Sequence, residues 1–426
     1  MPHTPRAGLR LALAALLLPA CALPEEAYDV PAAAPTRAAA PGEWTVSDDR
    51  VATVQLHQTG DEASLPVLPL GSTETLTLAF DVVGEETGEP LVVSFVHTDR
   101  LGRQNLLPTE YLTGFEQDNL LDFERSGAGV GVPYVHYRYA FPNAQIGFRI
   151  SGNYRVRVAR TGGEPLFEAP FYVSEELADV ELGFGTVVQG GAAATSVQPA
   201  ARVRPDPRLS DVDASQLTVC FARSGRLDGV RCAPQPSLVD LALFQFYLPR
   251  EAAFEPAGPL FGLDLGLLVT NADVLDVDRA ARPPTATLDL DYAEFGGDVR
   301  DPVLAAAPVV GAAYRDAGRA ATDAQYVRVR FRYVPPDRRL LPRRVYVLGS
   351  FNGWRTTPDG ELRWVEAEGR YEGSLLVKQG RYVYTYSPAS PRATLGAPEL
   401  FTSFVYFSDP RLFTDRLISV RSGVAR

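Results

Sequence analysis

The feature that most constrains this chain is the run YVRVRFRYV, in which apolar and charged side chains alternate without a break. Val327, Val329, Phe331 and Tyr333 fall on one face of an extended strand, and three arginines fall on the other. Successive side chains of a strand point to opposite faces, so such a strand has one buried and one solvated face. The run therefore predicts a strand of an antiparallel sheet that packs against a second layer.

Similar short alternating runs recur along the chain, separated by Gly, Pro, Asn and Asp. The clearest are TLTLAF, LVVSFV, YVHYRYAF, YRVRV, RVYVLG, YEGSLLV and YVYTY. Almost no segment has the 3.6-residue period of a helix, and many short strands with regular turn signals favour β-sandwiches. We therefore expect an all-β protein.

A chain of 426 residues is too long for one hydrophobic core, so we expect several domains. Shifts in composition predict three tandem β-sandwiches of immunoglobulin-like or fibronectin-like type. The first spans residues 44–173. The second, rich in Ala, Gly, Pro and Asp, spans 174–322, and the third spans 323–426.

The first twenty residues have the pattern of a secretory signal. Arg6 and Arg10 precede the apolar run LALAALLL at 11–18. A membrane-spanning helix needs roughly 20 apolar residues, so this run predicts a signal peptide over 1–20 and not an anchor. The sequence L-P-A-C that follows resembles the bacterial lipobox and predicts a diacylated Cys21. Ordinary secretory cleavage nearby is the alternative.

Residues 21–43 are rich in Ala and Pro and show no apolar period, which predicts a flexible tether. A lipidated Cys21 followed by this tether would attach a folded body to a membrane. Removal of the signal takes Arg6 and Arg10 and no acidic residue, so the net charge changes from −11 to −13. Such an acidic chain lacks the basic surface that nucleic-acid binding requires.

The remaining cysteines are Cys220 and Cys232, in the segment VCFARSGRLDGVRC. Two strands that flank a Gly-containing turn would bring them together, and an exported protein folds in an oxidising compartment. We therefore predict a hairpin disulfide. A zinc site is the poorer interpretation, because two thiols without a nearby His or Cys do not fill a tetrahedral shell.

Read in order, the sequence blocks of the first predicted domain resemble the plug protein family of the type IX secretion system. They are RVATVQLHQTGDEASLPVLPLGSTETLTLAFDVV, SFVHTD, TEYLTGF, YVHYRYAFPN, SGNYRVRV and FYVSEE. VYVLGSFNGW, LLVKQGRYVYTY and FTDRLIS continue the family's order toward residue 420. The chain departs from the family pattern at Thr98 and Gly102, where the family has a Cys and a Trp. It departs again where VCFARSGRL replaces a Q-N-x-R strand.

This resemblance implies a non-enzymatic plug or accessory lipoprotein of the type IX translocon. Such a protein occludes the periplasmic opening of a very large outer-membrane barrel, which is the implied partner. It implies a location in the cell envelope, at the periplasmic face of the outer membrane, with surface exposure as the open alternative. Glu110, Tyr111, Pro142 and Asn143 lie in the matching blocks and are candidates for partner contact, although Pro-Asn is first of all a turn sequence.

The segment RVYVLGSFNGW also resembles the start of glycogen-binding carbohydrate modules, whose Trp stacks on a sugar ring. Trp354 matches that Trp. The module's Lys, which follows a Tyr, is here Thr385 after Tyr384, and its second Trp, in a D-G-x-W turn, is missing. We therefore interpret the segment as scaffold, with Gly349 and Asn352 shaping a turn. A cell-envelope carbohydrate-binding lipoprotein that uses Trp354 is the alternative function.

Signals for catalysis are weak. His57, His97 and His136 remain after removal of the signal, and Asp99 follows His97 closely. A His on a strand beside aromatic residues is more often structural than catalytic. The chain has no G-x-S-x-G, H-E-x-x-H or phosphate-loop motif. We therefore expect no enzymatic activity, no metal site and no cofactor.

Overall fold

The computed structural model describes Met1 and residues 44–188, 195–209, 212–223, 226–240, 243–255, 259–294, 320–388 and 399–425. The expected lipidation site Cys21 and the expected tether therefore lie outside the described residues, as does the expected signal peptide apart from Met1. Residues 39–426 form one compact unit. Its described elements are strands joined by turns and very short helices, which confirms the all-β prediction.

The first lobe spans residues 45–174. Its elements are β1 (Thr45–Val46), β2 (Val51–Gln58), β3 (Val67–Pro69), β4 (Leu76–Val83), β5 (Leu91–Thr98), α1 (Pro108–Tyr111), β6 (Leu112–Gly114), β7 (Gln117–Leu120), β8 (Phe123–Arg125), β9 (Tyr134–Phe141), β10 (Ile146–Phe148), β11 (Gly152–Arg160) and β12 (Pro165–Ser174).

Two sheets of the first lobe face each other. One has the order β1-β12-β11-β5-β7, with β3 parallel to β12, and the other has the order β2-β4-β9-β8. Aromatic rings join the layers: Phe80 of β4 meets Phe167 of β12 edge-on at 4.8 Å, and Phe141 of β9 lies 4.9 Å from Phe95 of β5. The alternating pattern of these strands therefore buries one face of each sheet in a shared core.

The middle lobe begins after β12. Its first strands are β13 (Ala178–Val188), β14 (Thr195–Pro205), β15 (Leu217–Arg223), β16 (Arg226–Ala233), β17 (Leu238–Asp240) and β18 (Leu243–Tyr247). One sheet has the order β13-β14-β18-β17, and a second contains the hairpin β16-β15.

The third lobe follows with β19 (Phe261–Asp264), β20 (Val274–Asp278), β21 (Thr285–Leu288), β22 (Asp291–Tyr292), β23 (Tyr326–Val334), β24 (Val345–Gly349), β25 (Glu361–Val365), β26 (Arg370–Lys378) and β27 (Arg381–Ser387). Its strands form the path β19-β27-β24-β25-β26-β23-β21-β20 around one core, with β22 parallel to β23. The described 3-10 helices of the chain are Ala214–Gln216, Arg250–Ala252, Ala321–Asp323, Pro336–Arg338, Ser350–Asn352, Pro358–Gly360 and Glu366–Glu368.

The last two strands, β28 (Glu399–Asp409) and β29 (Thr414–Ala425), leave the third lobe and complete the middle one. They extend its second sheet to the order β16-β15-β28-β29, with Cys220 opposite Phe404 in the β15–β28 register. The two strands share a core with residues of β14, β15 and β18.

The chain order of the lobes therefore differs from the predicted tandem boundaries 174–322 and 323–426. The described residues 259–294 and 320–388 build the third lobe, and they are inserted in the chain between β18 and β28 of the middle lobe. The physical reason is that β28 is buried along most of its length and needs a neighbour on both sides, which β15 and β29 supply. Alternation in the sequence shows which residues are buried, but not which strand lies beside them.

Cys220 and Cys232 are directly opposite each other in the β15–β16 hairpin, and their sulfur atoms are bonded. They lie in a small cluster of apolar side chains between the first and middle lobes. Tyr172 of β12 packs there against Phe404 of β28, with their rings 4.7 Å apart. The disulfide therefore joins the two strands of a hairpin that supports the contact between these lobes.

Replacement of both cysteines by alanine should lower the free energy of unfolding by about 2 kcal/mol, because the bond closes a loop of 12 residues. Urea unfolding of the oxidised protein measures this change. The wild-type protein in a reducing agent is the control and should unfold at the same urea concentration as the variant. An unchanged midpoint on reduction would contradict the expectation.

Candidate functional site

The most distinctive polar site of the described structure lies where the first lobe meets the third. On the side of the first lobe, Asp81 of β4 and His136 of β9 are directly opposite in the antiparallel register. His136 Nδ1 lies 2.7 Å from Asp81 Oδ1, within hydrogen-bonding distance. The side chain of Asp81 is completely buried.

The third lobe supplies Lys378 and Tyr326, which are paired across β26 and β23. Lys378 Nζ lies 2.7 Å from Asp81 Oδ2, and the Tyr326 hydroxyl donates to the same oxygen at 2.7 Å. The hydroxyl oxygen of Thr53 in β2 lies 2.7 Å from the hydroxyl oxygen of Tyr326. The Asp81 carboxylate is therefore bonded by groups from both lobes.

Aromatic rings enclose the ammonium group. Lys378 Nζ lies 4.3 Å from the centre of the Tyr134 ring, a cation–π distance. The Tyr134 hydroxyl donates to the carbonyls of Ala321 at 2.6 Å and Ala324 at 2.9 Å, where the chain enters β23. We call this set the interlobe cluster: Thr53, Asp81, Tyr134, His136, Tyr326 and Lys378.

Burial acts on the Asp81 carboxyl, the Lys378 amine and the Tyr326 hydroxyl of the interlobe cluster. Burial alone would raise the pKa of the Asp81 carboxyl, but Lys378 and His136 outweigh it and hold that pKa below its ordinary value. Burial lowers the pKa of the Lys378 amine, and Asp81 opposes that shift. Burial also raises the pKa of Tyr326 well above its ordinary value, so its hydroxyl stays a donor to the carboxylate. The cluster therefore joins the two lobes through a buried ion pair and several hydrogen bonds to the same carboxylate.

A second joint connects the first lobe to the middle lobe. Arg416 of β29 forms a double ion pair with Glu175, in which Nε lies 2.8 Å from Oε1. The Ser151 hydroxyl donates to the same Oε1 at 2.6 Å and accepts from the Leu417 amide at 3.1 Å. The Tyr406 hydroxyl donates to Asn153 Oδ1 at 2.8 Å. Strand β29 is thus hydrogen-bonded to the first lobe as well as to β28.

His97 and Asp99, the pair considered for catalysis, do not form a dyad. His97 is 1% exposed, lies against the rings of Tyr111 and Tyr154, and has its Nε2 3.3 Å from the Ser151 carbonyl oxygen. Burial lowers the pKa of His97 to about 4. The Asp99 carboxylate instead accepts from the amides of residues 101 and 103 and from the Arg103 guanidinium. Both side chains therefore have contacts typical of structural residues.

The other candidates of the first lobe also make local contacts. His57 is buried, with Nδ1 2.8 Å from the carbonyl oxygen of the next residue. Glu110 accepts from the Leu107 amide at 2.6 Å and closes the turn before α1. The Tyr111 hydroxyl donates to a carbonyl of β5. Asn143 accepts from two amides of the turn between β9 and β10, beside Pro142, and Thr98 is buried at the end of β5.

The G-S-F-N-x-W segment forms a turn at the end of β24. Asn352 Oδ1 accepts from the Gly349 amide at 2.9 Å, and its side-chain nitrogen donates to the Val347 carbonyl at 3.2 Å. Phe351 packs among three aromatic rings of the third lobe core. A Cβ on Gly349 would lie 2.6 Å from the Phe351 ring, which requires glycine there. These contacts support the scaffold interpretation.

Thr385 and Trp364, at and near the positions that resemble a carbohydrate module, make local contacts within the third lobe. Thr385, at the position of the expected Lys, is 3% exposed and donates to the Pro259 carbonyl at 2.7 Å. Trp364 packs on Tyr371 with ring centres 5.1 Å apart and donates to Glu366. Trp354 is half-buried and has a positive φ of 59°. Of these three side chains, only Trp354 lies at the turn that follows β24.

Asp291 is a carboxyl with an unusual environment in the third lobe. The hydroxyls of Tyr384 and Tyr386 donate to its Oδ2 at 2.7 and 2.6 Å. Burial raises the pKa of Asp291 to about 7, and the two tyrosine hydroxyls oppose that shift. Both tyrosines are core residues, so Asp291 provides the acceptor that their buried hydroxyls need.

Two surface cavities contain charged side chains that are already paired with one another. A groove of about 410 Å³ lies on the outer face of β13, β14 and β18, where Glu181 and Arg202 form an exposed ion pair at 3.3 Å. A second hollow of about 450 Å³ contains Asp48, Arg50 and Arg160, which are paired with one another. Among the described residues, no group of three His, Cys, Asp or Glu side chains is placed to hold a metal ion. No described helix has the length and apolar character to span a bilayer.

The interlobe cluster was missed by sequence reasoning, although one signal pointed to it. Lys378 is the only lysine among the 41 Lys and Arg residues, and the other 40 are arginine. An ammonium group is compact enough to lie between a carboxylate and a ring, whereas guanidinium is a wide planar fork. Its partner Asp81, 297 residues away, carries no local pattern that would predict this contact.

Comparisons with known proteins support part of the resemblance. Residues 51–175 match the family model described as the type 9 secretion system plug protein 1st domain. The match ends at the joint with the middle lobe and contains Asp81 and His136 of the interlobe cluster. Because it covers less than half of the chain, it shows a relation of the first lobe to this family.

Among solved structures, the chain is similar to a hypothetical protein from Parabacteroides merdae, with a TM-score of 0.77 and 21% identity. The similarity covers 90% of this chain and 99% of that chain. It shows a shared fold that includes the inserted third lobe. The BSP domain of a biofilm associated protein is a weak match, with a TM-score of 0.16 and 8% identity over 90% of this chain and 60% of that chain, and supports no argument. No curated protein matches the chain.

Replacement of Lys378 by methionine should cost about 3–5 kcal/mol of unfolding free energy, because Asp81 would keep a buried charge without its cation. The additional change Asp81→Asn should recover part of that loss, and urea unfolding of the two single variants and the double variant measures the coupling. Arg202→Met, which breaks the exposed pair with Glu181, is the matched control and should cost less than about 1 kcal/mol. Equal costs for Lys378→Met and Arg202→Met would contradict a central role for the interlobe cluster.

The raised pKa of Asp291 predicts a pH dependence of stability. The folded protein keeps this proton up to about pH 7, whereas the unfolded chain loses it near the ordinary value of 3.8, so stability should fall as pH rises between these values. Asp291→Asn should therefore be more stable than wild type by about 1–3 kcal/mol at about pH 8 and should lose that advantage at about pH 4. Asp179→Asn, at an exposed position of β13 in the middle lobe, is the control and should leave the pH profile unchanged. A profile of Asp291→Asn parallel to wild type would refute this assignment.

Proposed function

We propose that this protein is a non-enzymatic closing element of a type IX secretion translocon, placed at the periplasmic opening of its outer-membrane pore. The observation that carries the proposal is the match of residues 51–175 to the plug protein family. The family relation supports an association with a secretion system of the cell envelope. The specific partner, the barrel, belongs to the proposal.

The structure supports a steric role in two ways. Outer-membrane barrels of up to about 36 strands exist, and a lumen of that width would leak small molecules unless a large body filled it. The three lobes provide such a body, and the interlobe cluster and the Glu175–Arg416 joint hold them together. A closing element of this kind needs shape and rigidity but no reactive group, so we propose that the protein is not an enzyme.

Attachment to the membrane completes the proposal. A diacylated Cys21 and the tether at 21–43 would keep the folded body near the pore at a high effective concentration. The protein would then return to the opening after each passage of cargo. This makes it an outer-membrane lipoprotein at the periplasmic face.

Affinity purification from detergent-solubilised outer membranes tests the partner. We expect a very large barrel protein to co-purify with the tagged full-length protein, and we expect the Cys21→Ala variant to be lost from the membrane fraction. Failure to recover a barrel protein in any of several detergents would defeat the proposal.

The permeability of the outer membrane gives an independent readout. Cells without this protein should become sensitive to a glycopeptide antibiotic that is too large for ordinary porins, because the open secretion pore admits it. The wild-type gene should restore resistance, and deletion of both the barrel and this protein should restore it as well. Sensitivity that persists without the barrel would show that the leak has another cause.

A further inference from the structure

The turn between β28 and β29 presents an unusual side chain. Phe413 is 84% exposed, more than any other large apolar residue that the structure describes between 44 and 425. Its φ of 54° lies in the left-handed region, which a phenylalanine adopts only when its surroundings hold it there. An aromatic ring is therefore directed into solvent by a backbone conformation that costs free energy.

The turn is held by the first lobe. Asn105 donates from its side-chain nitrogen to the Phe413 carbonyl at 2.7 Å. The Arg100 amide donates to Asp415 at 3.3 Å, and the Arg100 guanidinium lies 3.7 Å from the same carboxylate. The loop that makes these contacts also exposes Leu101 and Leu107, at 57% and 67%. These bonds place the loop that carries Leu101 and Leu107 beside the turn that carries Phe413.

One arginine of this turn has no ion-pair partner among the described residues, whereas the carboxylates beside it are paired. The Asp409 carboxylate lies 3.3 Å from the Arg416 guanidinium. The Asp415 carboxylate accepts from the Ser408 hydroxyl at 2.7 Å and from Arg100. Both carboxylates near the turn therefore have partners. Arg411, at the exposed turn, has no ion-pair partner among the described residues. In the adjoining loop of the first lobe, Glu110 accepts from the Leu107 amide and Asp99 is paired with Arg103. We call Leu101, Leu107, Arg411 and Phe413 the hairpin tip surface.

We infer that the hairpin tip surface contacts the interface of an anionic phospholipid bilayer. Phe413 and the two leucines would enter the boundary between headgroups and acyl chains, and Arg411 would bind lipid phosphate. The surface suits a bilayer better than a protein, because it is a protruding turn with few apolar side chains and not a broad complementary face. The charge of Arg411 is complementary to phosphate, although the chain as a whole carries −11.

A contact of this size would be weak and reversible on its own. One apolar anchor gives marginal membrane binding, and a second signal makes it stable. The hairpin tip surface would therefore orient a body that is attached elsewhere, so that the end of β28 and β29 faces the bilayer. This inference goes beyond the proposed closing function and does not depend on the barrel.

Co-sedimentation with lipid vesicles tests the inference. The full chain carrying Cys21→Ser, so that no acyl chain contributes, is mixed with vesicles of phosphatidylethanolamine and phosphatidylglycerol or with vesicles of phosphatidylcholine. We expect binding to the anionic vesicles to fall by about tenfold or more when Leu107→Ser, Arg411→Ser and Phe413→Ser are combined, because each loses apolar or charge contact with the lipid. A control with Leu275→Ser and Leu340→Ser removes exposed leucines of the third lobe and should bind like the parent chain.

Insertion of the turn itself is measured with brominated lipids. Tryptophan fluorescence should be quenched more in Phe413→Trp than in the parent, and Leu340→Trp should show no added quenching. Unchanged urea midpoints would show that all variants are folded. Equal binding of the tip variant and the control, equal binding to both kinds of vesicle, or no quenching at position 413 would overturn the inference. So would a photo-crosslink from position 413 that joins a protein in intact envelopes while vesicles remain unbound.

Discussion

The buried ion pair between Asp81 and Lys378 is the contact on which the arrangement of the first and third lobes depends. Two charges removed from water lose several kcal/mol of hydration each, and attraction alone repays this only when the geometry is good and every remaining polar atom is bonded. Here the carboxylate accepts from Lys378, Tyr326 and His136, and the ammonium group lies over the ring of Tyr134. A displaced lobe would break several of these bonds at once. The pair therefore favours one orientation of the lobes over others, in addition to any stability that it contributes.

The insertion of the third lobe has a mechanical consequence. The chain leaves the middle lobe after β18 and returns to it as β28, so both ends of the third lobe are attached to the middle lobe. The return strand β29 then bonds to the first lobe through the Leu417 amide, which donates to Ser151, and through Arg416, whose partner Glu175 directly follows that lobe. The first lobe thus contacts both other lobes through strands that also belong to a core, and the chain itself connects the third lobe to the middle one. A body built in this way suits a role of occupying space, because separating one lobe disturbs the packing of another.

Some features of this structure could be predicted from the sequence, and others could not. Alternating runs such as residues 326–334 predicted strands because burial of one face leaves a period of two in the sequence. The turn made by Gly349 and Asn352 was also accessible, since its residues act within a few positions of each other. The partner of Lys378 was not, because two residues that meet across lobes share no sequence spacing. The exposed Phe413 was likewise inaccessible, since exposure depends on which strands flank the turn.

Side chains that are close together in the chain were enough to predict the class of the fold and the clearest strands with their buried faces, such as residues 326–334. The amino-acid sequence also contained the pairing of Cys220 with Cys232, which requires only a hairpin. The tertiary structure decided that β28 pairs with β15, that Asp81 meets Lys378, and that two lobes combine to present Phe413. These contacts join residues hundreds of positions apart, and only the packing of complete sheets selects one such pairing among the many that the same pattern allows.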